Sequence, residues 1–380
     1  MALAPIDLSR ILKMPVDNTL LNRFADIKCW HALNFSLWKR AFALPYLSEN
    51  GQNVCWGREA SSNQAATIVW GGLATANKNE AKLMRMEDGF IHSLGLGSDL
   101  TPPCSQVIDR SGIYFDAKNA NDLSKLLNEY DFDTEILKRA ANLRQLIVAT
   151  GITKYNLGRK APVWQAQPKQ RVILVIGQVA DDASVKLGTT SEMNNIDALL
   201  ARVWAENADA FIVYKPHPDV LSGNRKGLVA AKNYCHIVDS EADVISLIEC
   251  VDEVHTLSSL AGFDALLRGK RVVAYGLPFY AGWGLTTDKM SSIPHRSRQI
   301  SLDALVAASL ILYPLYYDWD LKQFTSPEVI VNKLAKGASR PLKKMPAYKR
   351  LPLKLYRWSV NLIKYSFMQY HQKIQVKSHA

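Results

Sequence analysis

The sequence predicts an α/β fold, and the main sign of it is a regular alternation of strand-like and helix-like stretches after residue 170. In chain order these are strand 171–177, helix 192–208, strand 210–215, helix 241–249, strand 253–257, helix 259–269 and strand 271–276. The strands are apolar almost throughout, as in "RVILVIG", which is typical of strands buried on both faces of a parallel sheet. Helices that cover both faces of such a sheet make a Rossmann-type domain, which we expect here.

The first part of the chain shows similar signals less regularly. "ATIVWGG" (66–72) and "KLMRMEDGF" (82–90) are typical of strands that run into turns, and "SQVIDRSGIYFDA" (105–117) predicts a hairpin around Ser111. Apolar residues at helical spacing predict helices between 121 and 152. We expect a second, similar α/β domain in this part of the chain.

The length of the chain favours two domains, because 380 residues are too many for one compact core. A change of composition at 158–170, where two prolines occur and no apolar periodicity is seen, predicts the boundary. We therefore expect a first domain at 1–160, a second domain at 161–335 and a basic tail at 336–380.

Cysteine usage and hydropathy limit the cellular location. The five cysteines are scattered without C-x-x-C spacing, which favours neither a disulfide framework nor a zinc site and suits a reducing cytoplasm. Charged residues interrupt the apolar positions of 1–16, unlike those of a signal peptide. The longest apolar run, 304–317, contains Pro314 and is shorter than the roughly 20 residues of a bilayer crossing. No membrane span is expected.

The positive charge is concentrated at the C-terminal end. Residues 336–380 contain eleven Lys or Arg and no acidic residue, so the rest of the chain has 35 basic and 35 acidic residues. A neutral body argues against a nucleic-acid surface, and no nucleic-acid partner is expected. Within 353–374, Leu355 and Trp358 fall on one helical face while Lys354 and Arg357 fall on another. Such a helix suits an anionic membrane surface. The alternatives are that it packs back on the first domain or binds nucleic acid non-specifically.

Polar residues follow three of the predicted strands of the second domain. They are "GQVADDAS" (177–184), "KPHP" (215–218) and "SSLAGFDAL" (258–266), the last of which opens a helix. Ligands of open α/β sheets bind beyond the carboxyl ends of the strands.

The serines of the third stretch point to a phosphate. Ser258 and Ser259 stand where a helix N-cap is expected, and the unpaired N–H groups there favour an anion. Lys215 and His217 are expected to face this position from the neighbouring strand end. Together these residues predict a site for a nucleotide phosphate. The alternative is that a serine merely caps its own helix.

Several of these stretches resemble a known family. "KPHP" and "SSLAGFDALL" are similar to the His-Pro and Ser motifs of bacterial transferases that use CMP-activated nonulosonic or ulosonic acids. "MEDGFIHSLGLGSDL" (86–100), "KYNLG" (154–158), "GQVADDAS" and "GKRVVAYGLPFYAGWGLTTD" (269–288) resemble the KpsC-type capsule-synthesis enzymes, which are retaining β-Kdo transferases. The resemblance runs from about Trp56 to Asp320.

The resemblance implies a GT-B-like arrangement, in which two Rossmann-type domains face a cleft. It also implies CMP-β-Kdo as the donor substrate, with no metal and no other cofactor. The chain departs from the family's "EDGF-x-R-S" pattern at one position, where His92 replaces the arginine. This change affects how the acceptor, or the donor carboxylate, is held.

The retaining reaction that the resemblance implies needs a carboxylate nucleophile beneath the reacting carbon and an acid/base group near the incoming hydroxyl. Asp182 is the preferred nucleophile and Asp181 is the close alternative, although either one would also suit a turn cap. Ser184 and Lys186 are expected to bind the carboxylate or phosphate of the donor. Gln178 is expected to hold a sugar hydroxyl.

The acceptor side of the site is expected at the end of a first-domain strand. Glu87 is assigned as the acid/base group, with Asp88 and His92 beside it, although a Glu-Asp-Gly turn is also common in solvated loops. The residues expected to shape the sugar pocket are Tyr280, Trp283 and Gly284. An aromatic face beside a glycine lets a sugar ring approach the backbone, but core packing explains these aromatics equally well.

Other nucleotide and metal motifs are weak. "DFD" (131–133) and "DWD" (318–320) follow no strand of the nucleotide domain, so neither predicts a metal site. The stretch "LGLGSD" (94–99) lacks the third glycine and the lysine of the common phosphate-binding fingerprints.

We therefore expect a cytoplasmic glycosyltransferase, peripheral at the inner face of the cytoplasmic membrane. It would move β-Kdo from CMP-β-Kdo to a lipid-linked or oligosaccharide acceptor through an Asp-linked intermediate. Two alternatives stay open: a transferase for another activated sugar on the same scaffold, and an inactive scaffold protein of a glycan-assembly complex.

Overall fold

A computed structural model describes residues 18–57, 65–72, 83–179, 182–190, 193–217, 231–290, 293–342 and 347–378. Its strands are β1 (Cys29–Leu33), β2 (Asn53–Trp56), β3 (Ala65–Trp70), β4 (Leu83–Asp88), β5 (Ser105–Asp109), β6 (Val172–Ile176), β7 (Phe211–Lys215), β8 (Ile237–Val238), β9 (Glu253–Thr256), β10 (Arg271–Ala274), β11 (Thr287–Asp288), β12 (Leu315–Asp318) and β13 (Gln323–Thr325). They form two sheets with helices packed on them, so the predicted α/β class is confirmed.

The helices in chain order are α1 (Asn18–Asn22), α2 (Leu37–Ser48), α3 (Asp122–Glu129), α4 (Thr134–Thr150), α5 (Ala183–Gly188), α6 (Ile196–Glu206), α7 (Val244–Cys250), α8 (Leu260–Leu267), α9 (Leu302–Val306), α10 (Pro327–Ala338) and α11 (Ala347–Ser378). A π-helical segment, Ala307–Leu312, continues α9. Most of the helices begin at a Ser, Asn or Asp whose side chain accepts a backbone N–H of the first turn, as Asp133 does for Ile136 at the start of α4.

The second sheet is parallel, in the order β11-β10-β9-β6-β7-β8, and matches the predicted strands. Every residue of β6, Val172–Ile176, is buried, as expected for a central strand covered on both faces. The chain runs from β6 outwards through β7 to β8 and then returns to the other side of β6 with β9. The strand order therefore reverses between β6 and β9, the position at which α/β proteins bind ligands.

The first sheet is mixed, in the order β13-β12-β5-β4-β3-β1-β2. Strands β2, β1, β3 and β4 are parallel, whereas β5 runs antiparallel to β4. The hairpin predicted at 105–117 is wrong in its second half, because the chain turns away after β5. The buried Asp109 carboxylate accepts the N–H groups of Ser111, Gly112 and Asp122, which fixes a turn towards α3.

The chain returns to the first sheet after it has completed the second. Strand β12 pairs antiparallel with β5, through Leu315 with Gln106, and β13 pairs with β12. Helices α9 and α10 pack against α4 of the first part of the chain. Residues 302–335, which the sequence predicted within the second domain, therefore pack with the first sheet and with α4. The sequence carries no local signal for this return, because pairing partners distant in the chain decide it.

Aromatic side chains join the two sheets. The ring of Phe90, which follows β4, lies 4.6 Å from the ring of Phe279 and 4.8 Å from that of Tyr114. Phe263 of α8 packs on Phe279 at 5.2 Å. All four residues belong to one apolar cluster that includes residues from both halves of the chain. This shared cluster therefore packs the first sheet against the second.

The basic tail forms helix α11, which packs against α2. Arg350 Nε lies 2.7 Å from Asp99 Oδ1, and Arg357 donates to the Asp99 carbonyl at 2.8 Å. Asn361 is buried, and the Tyr365 ring contacts the Trp56 ring at 6.2 Å. The alternative in which the helix packs back on the first domain is thus the arrangement observed. Among the described residues, none of the helices combines the length and the apolar character that a bilayer crossing requires.

Candidate functional site

The carboxyl ends of β6 and β9 are connected by the side chain of Gln178. Its amide Nε2 donates to Ser258 Oγ at 3.1 Å, and its Oε1 accepts the Ser258 backbone N–H at 2.8 Å. Thr256 Oγ1 lies 3.4 Å from the same Oε1. Two residues predicted to bind the donor therefore lie together at the point where the strand order reverses. Both are buried, so they form the floor of the site.

The predicted nucleophile Asp182 is exposed and caps α5. Its Oδ1 accepts the Ser184 N–H at 2.8 Å and the Ser184 hydroxyl at 2.7 Å, and Ser184 Oγ lies 3.4 Å from Ser258 Oγ. A short hydrogen-bonded chain thus runs from Gln178 through Ser258 and Ser184 to the Asp182 carboxylate. Lys186, also on α5, is exposed. Asp181 lies outside the described residues.

The end of β7 lies beside the end of β6. The Gly177 N–H donates to the Lys215 carbonyl at 2.8 Å, and a Cβ at Gly177 would lie 3.0 Å from the His217 backbone nitrogen. Glycine is required there because the backbone after β6 approaches the backbone after β7 closely. The Lys215 ammonium donates to the Ala242 carbonyl at 2.6 Å, which connects it to the segment before α7. His217 is half-buried at this edge.

The helix start after β9 separates the two serines. Ser259, not Ser258, is the N-cap of α8, since its Oγ accepts the Ala261 N–H at 3.3 Å. The Tyr280 hydroxyl donates to the Ser259 carbonyl at 2.5 Å, and the Tyr280 ring is fully buried. Trp283 is also fully buried, with its Nε1 donating to the Phe279 carbonyl.

Of the three residues predicted to shape the sugar pocket, only Gly284 is exposed, with a φ of 82°. Both rings are packed inside the protein, which is the alternative that the sequence left open. They support the loop that follows β10 and present no open aromatic face.

A second group of predicted residues lies at the end of β4. His92 Nε2 is 3.3 Å from Asp88 Oδ2, and His92 Nδ1 is 2.5 Å from Ser93 Oγ. The Asp88 N–H donates to Glu87 Oε1 at 3.0 Å. His92 is buried, whereas Glu87 and Asp88 are half-buried at the strand end. His92 therefore acts on Asp88 and holds its carboxylate in place.

The two neighbouring carboxyl groups of this strand end have different acidities. Burial and the negative charge of Asp88 raise the pKa of Glu87 to about 7, against the opposing effect of Lys39. Burial would also raise the pKa of Asp88, but the charge and hydrogen bond of His92 outweigh burial and lower it. One carboxyl group of the pair thus exchanges a proton near neutral pH while the other stays ionised, as in acid/base sites.

Sequence reasoning missed the cationic and phenolic groups around Glu87. Lys154 is tied to the strand end because its carbonyl accepts the His92 N–H at 2.9 Å and the Ser93 N–H at 3.2 Å. Burial opposes its charge, but the surrounding Tyr114, Tyr155 and carboxylates raise the pKa of Lys154. The available signal is the motif "KYNLG", which contains Lys154 and Tyr155. The motif supports the family resemblance but does not by itself predict a role for these two residues.

The two groups of residues meet beside the end of β3. Lys154 lowers the pKa of the Tyr155 hydroxyl and burial raises it, and the balance is upwards. The carboxylates of Glu87, Asp88 and Asp182 all add to this increase. A Cβ at Gly71 would lie 3.4 Å from Glu87 Oε2. A Cβ at Gly72, after β3, would lie 3.2 Å from Leu187 of α5. Helix α5 therefore lies against the end of the first sheet.

The two Asp-x-Asp stretches have structural roles. Asp133 caps α4, and Asp318 of β12 is 2.5 Å from Lys333 of α10, which also contacts Asp320. Across the ranges that the structure describes, no group of three or more His, Cys, Asp or Glu side chains is arranged to hold a metal ion.

Comparison with known proteins decides the family. A sequence profile of the capsule polysaccharide biosynthesis proteins matches residues 52–316, which is well over half of the chain. The chain belongs to this family. The match includes both groups of site residues, those at the end of β4 and those at the ends of β6, β7 and β9.

The chain matches only part of the length of two curated relatives. The capsule polysaccharide modification protein LipA of Neisseria meningitidis serogroup A is 42% identical over 301 residues, which are 75% of this chain and 42% of LipA. The lipopolysaccharide-processing protein LpsZ of Rhizobium meliloti is 38% identical over 300 residues, which are 73% of this chain and 68% of LpsZ. The chain spans less than half the length of LipA.

Two solved structures of KpsC from Thermosulfurimonas dismutans are similar to the chain throughout most of its length. The one described as a beta Kdo 2,4 transferase is 31% identical, with a TM-score of 0.71, and covers 80% of this chain and 98% of its own. The one described as a beta Kdo 2,7 transferase is 33% identical, with a TM-score of 0.67, and covers 81% and 98%. The resemblance to KpsC-type proteins predicted from the motifs is confirmed.

Proposed function

We propose that the chain is a retaining glycosyltransferase that moves β-Kdo from CMP-β-Kdo to a glycan acceptor in capsule synthesis. The similarity to two KpsC structures described as Kdo transferases supports the sugar and the reaction class. The observation that carries the mechanism is that Glu87 and the helix capped by Asp182 meet at the two glycines after β3. A Cβ at Gly71 would lie 3.4 Å from Glu87 Oε2, and one at Gly72 would lie 3.2 Å from Leu187 of α5. In this proposal the two sheets are the cores of two GT-B-type domains, and the sugar lies between their facing edges.

The donor phosphate would bind where the strand order reverses. Ser258 Oγ and the first N–H groups of α8 offer hydrogen-bond donors, and the positive end of the helix favours an anion. Lys215 adds positive charge from the end of β7 and Lys186 does so from α5, and His217 offers a ring nitrogen for a hydrogen bond. Gln178 holds Ser258 in position by two hydrogen bonds. The proposal includes no metal and no other cofactor.

Asp182 would act as the nucleophile. Its carboxylate attacks the anomeric carbon, the bond from that carbon to the phosphate oxygen breaks, and CMP leaves with the electron pair. The product is a glycosyl ester of Asp182. Ser184 donates two hydrogen bonds to Oδ1, which leaves Oδ2 for the attack. Asp181, which lies outside the described residues, is the alternative nucleophile.

Glu87 would act as the base in the second step. It removes the proton of the acceptor hydroxyl while that oxygen attacks the anomeric carbon and releases Asp182, so the configuration is retained. A pKa of about 7 suits this role, since the group is partly ionised at neutral pH and still basic enough to take a proton.

A donor screen tests this function. The purified protein is given a synthetic Kdo glycolipid acceptor and CMP-β-Kdo, CMP-sialic acid or nucleotide diphosphate sugars, and release of the nucleotide is measured. Turnover with CMP-β-Kdo alone supports the proposal. Turnover with another donor would favour a transferase for a different sugar, and no turnover with any donor would favour an inactive scaffold in a glycan-assembly complex.

We also propose that the protein acts at the inner face of the cytoplasmic membrane, through helix α11. Its Arg350 and Arg357 face the body, whereas several large apolar side chains of the helix are exposed. These are Leu351, Leu355, Tyr356, Trp358, Ile363 and Phe367. The exposed face would enter the interfacial region of the bilayer, and lysines at its border would attract anionic lipids.

Vesicle flotation tests the membrane proposal. Replacement of Leu355 and Ile363 by serine should weaken binding to vesicles that contain phosphatidylglycerol, with the fold unchanged. Leu321→Ser is the matched control, because Leu321 is 64% exposed on the body of the protein and Leu355 is 58% exposed on the helix. Equal flotation of the double variant and the control would contradict membrane binding through α11.

A further inference from the structure

Two lysines converge on the first-sheet side of the site, near Glu87. Lys39 of α2 holds its Nζ 3.7 Å from the ring centroid of Trp70, the last residue of β3. Lys154 reaches the same strand end from the loop after α4, with its Nζ 5.6 Å from the ring centroid of Tyr155. Trp70 precedes Gly71, at which a Cβ would lie 3.4 Å from Glu87 Oε2. The Lys154 carbonyl accepts the N–H of His92, whose ring contacts Asp88. The charges of both lysines also act on the pKa of Glu87.

Neither ammonium is neutralised by a direct contact. Asp88 is engaged by His92, and Glu87 Oε1 accepts the Asp88 N–H. Among the described residues, no carboxylate lies within 4.0 Å of the Nζ of Lys39 or Lys154, and neither group donates a hydrogen bond. Each cation is instead placed by an aromatic ring, an arrangement that holds a charge without using its N–H donors.

The charges at this edge favour an incoming anion. Burial lowers the pKa of Lys39 against the effect of Glu87 and Asp88, and the positive charge of Lys154 lowers it further. A bound anion would relieve this repulsion and take the free N–H donors, and the interaction is strong where water is largely excluded. When Glu87 accepts a proton during the reaction, the negative charge at the edge decreases and the attraction for an anion increases.

We infer that Lys39 and Lys154 bind the carboxylate of an acidic acceptor sugar and so select the acceptor. The inference rests on the proposed function, in which Glu87 activates the acceptor hydroxyl. The lysines lie on the first-sheet side of the site with Glu87, whereas the proposed donor phosphate residues lie at the ends of the second-sheet strands. The anion therefore belongs to the sugar that receives the transfer, and the two lysines act as specificity-determining residues that position it.

The first test measures binding without turnover. The probes are the methyl β-glycoside of Kdo and its C1 carboxamide, which differ only in the charge, and their affinities are measured by ligand-observed NMR. The wild-type protein should bind the acid at least about ten-fold more tightly than the amide. Lys39→Met and Lys154→Met should each lose most of this preference. Methionine keeps an unbranched side chain in contact with the aromatic rings, which limits damage to packing.

Three controls make the result specific. Lys138→Met removes a lysine from the exposed side of α4 and should leave the preference unchanged. Lys39→Arg should restore part of the preference lost in Lys39→Met, because it keeps the charge. Thermal unfolding midpoints show whether each variant is folded.

Kinetics distinguish the source of the anion. In the lysine variants the KM of the acidic acceptor should rise about ten-fold, and the KM of CMP-β-Kdo should stay within about two-fold of the wild-type value. A rise in the KM of the donor alone would overturn the inference and assign the lysines to the donor carboxylate. Equal binding of acid and amide by the wild-type protein would also overturn it. Absence of transfer from CMP-β-Kdo with the binding preference intact would instead contradict the proposed function.

Discussion

At the scale of single residues, the site depends on neighbours that change the chemistry of ordinary side chains. Glu87 and Asp88 are adjacent in the sequence, yet the pKa of Glu87 is raised to about 7 and that of Asp88 is lowered. The difference arises because His92 contacts Asp88, whereas no positive group of the described residues contacts Glu87 directly. A carboxyl group with a raised pKa and one with a lowered pKa are therefore placed side by side.

Glu87→Gln tests the role of this residue in the pH dependence. The base must be ionised to take the proton of the acceptor, so the wild-type rate should rise with pH through about 7 and then level off. The glutamine variant should lose this rise and retain at most about one hundredth of the rate. The measurement is kcat against pH with saturating donor and acceptor. A variant with the wild-type pH profile would exclude Glu87 as the base.

Part of this site was predictable from residue order and part was not. Gln178, Ser258 and Asp182 follow strands of strongly apolar sequence, and parallel strands bring their carboxyl ends to one edge. Lys39 and Lys154 carry no such signal. They come from a helix and a loop that reach the edge only through tertiary packing, on Trp70 in one case and on the backbone of His92 in the other.

At the scale of secondary-structure elements, the two serines before α8 have separate roles. Ser259 caps the helix, and Ser258 accepts from Gln178 and approaches Ser184. Ser259→Ala should therefore lower the free energy of unfolding by about 1 kcal/mol and change donor binding little. Ser258→Ala should raise the KM of the donor several-fold with a smaller effect on stability.

The pair of variants is its own control. Chemical denaturation gives the free energy of unfolding, and steady-state kinetics with CMP-β-Kdo gives the KM of the donor. The assignment of Ser258 to the donor site would be wrong if the two alanine variants had the same KM.

The hairpin predicted at 105–117 does not form, because one buried side chain determines the direction of the chain after β5. Local sequence favours a second strand at Ile113–Phe115, because apolar residues follow a Ser-Gly turn. Asp109 instead binds three backbone N–H groups and the Tyr313 hydroxyl at 2.8 Å, so the chain turns into α3. The position beside β5 is then taken by β12, which is over 200 residues away in the sequence.

At the scale of the whole molecule, a charged cluster at the opposite ends of the strands stabilises the second sheet. Glu253 starts β9, is buried, and contacts Arg171 at 3.1 Å, Arg271 at 2.9 Å and His255 at 3.2 Å. These contacts join the beginnings of β6, β9 and β10. The hydrogen bond from His255 and those from the arginines lower the pKa of Glu253 to about 2, although burial opposes the shift.

The Glu253 cluster should make the free energy of unfolding depend on pH in the acidic range. A lowered folded pKa means that the unfolded chain binds the proton first, so the stabilisation is complete above the ordinary value of 4.5 and is lost as the pH falls towards about 2. Glu253→Gln should cost about 2 kcal/mol at neutral pH and should flatten the loss of stability between about pH 5 and pH 3. Thermal unfolding across this range measures both effects. An unchanged slope in the variant would exclude Glu253 as a source of the acid sensitivity.

The domain boundaries were only partly predictable at this scale. The alternation of strands and helices in the second sheet is local in the sequence, and each predicted strand was found. The return of β12 and β13 to the first sheet depends on the pairing of β12 with β5. The local sequence of β12, with its apolar Leu315 and Tyr316, would fit either sheet equally well. Packing against distant partners, not local pattern, decides such assignments.

The most direct test of the central claim is mass spectrometry of the intact protein after incubation with CMP-β-Kdo and no acceptor. The wild-type protein should gain the mass of one Kdo residue, and Glu87→Gln should keep this adduct longer after acceptor is added, because the second step lacks its base. Asp182→Asn, which still caps α5, should gain none. An adduct on Asp182→Asn at the wild-type level, or no adduct on a wild-type protein that turns over CMP-β-Kdo, would contradict the proposed mechanism.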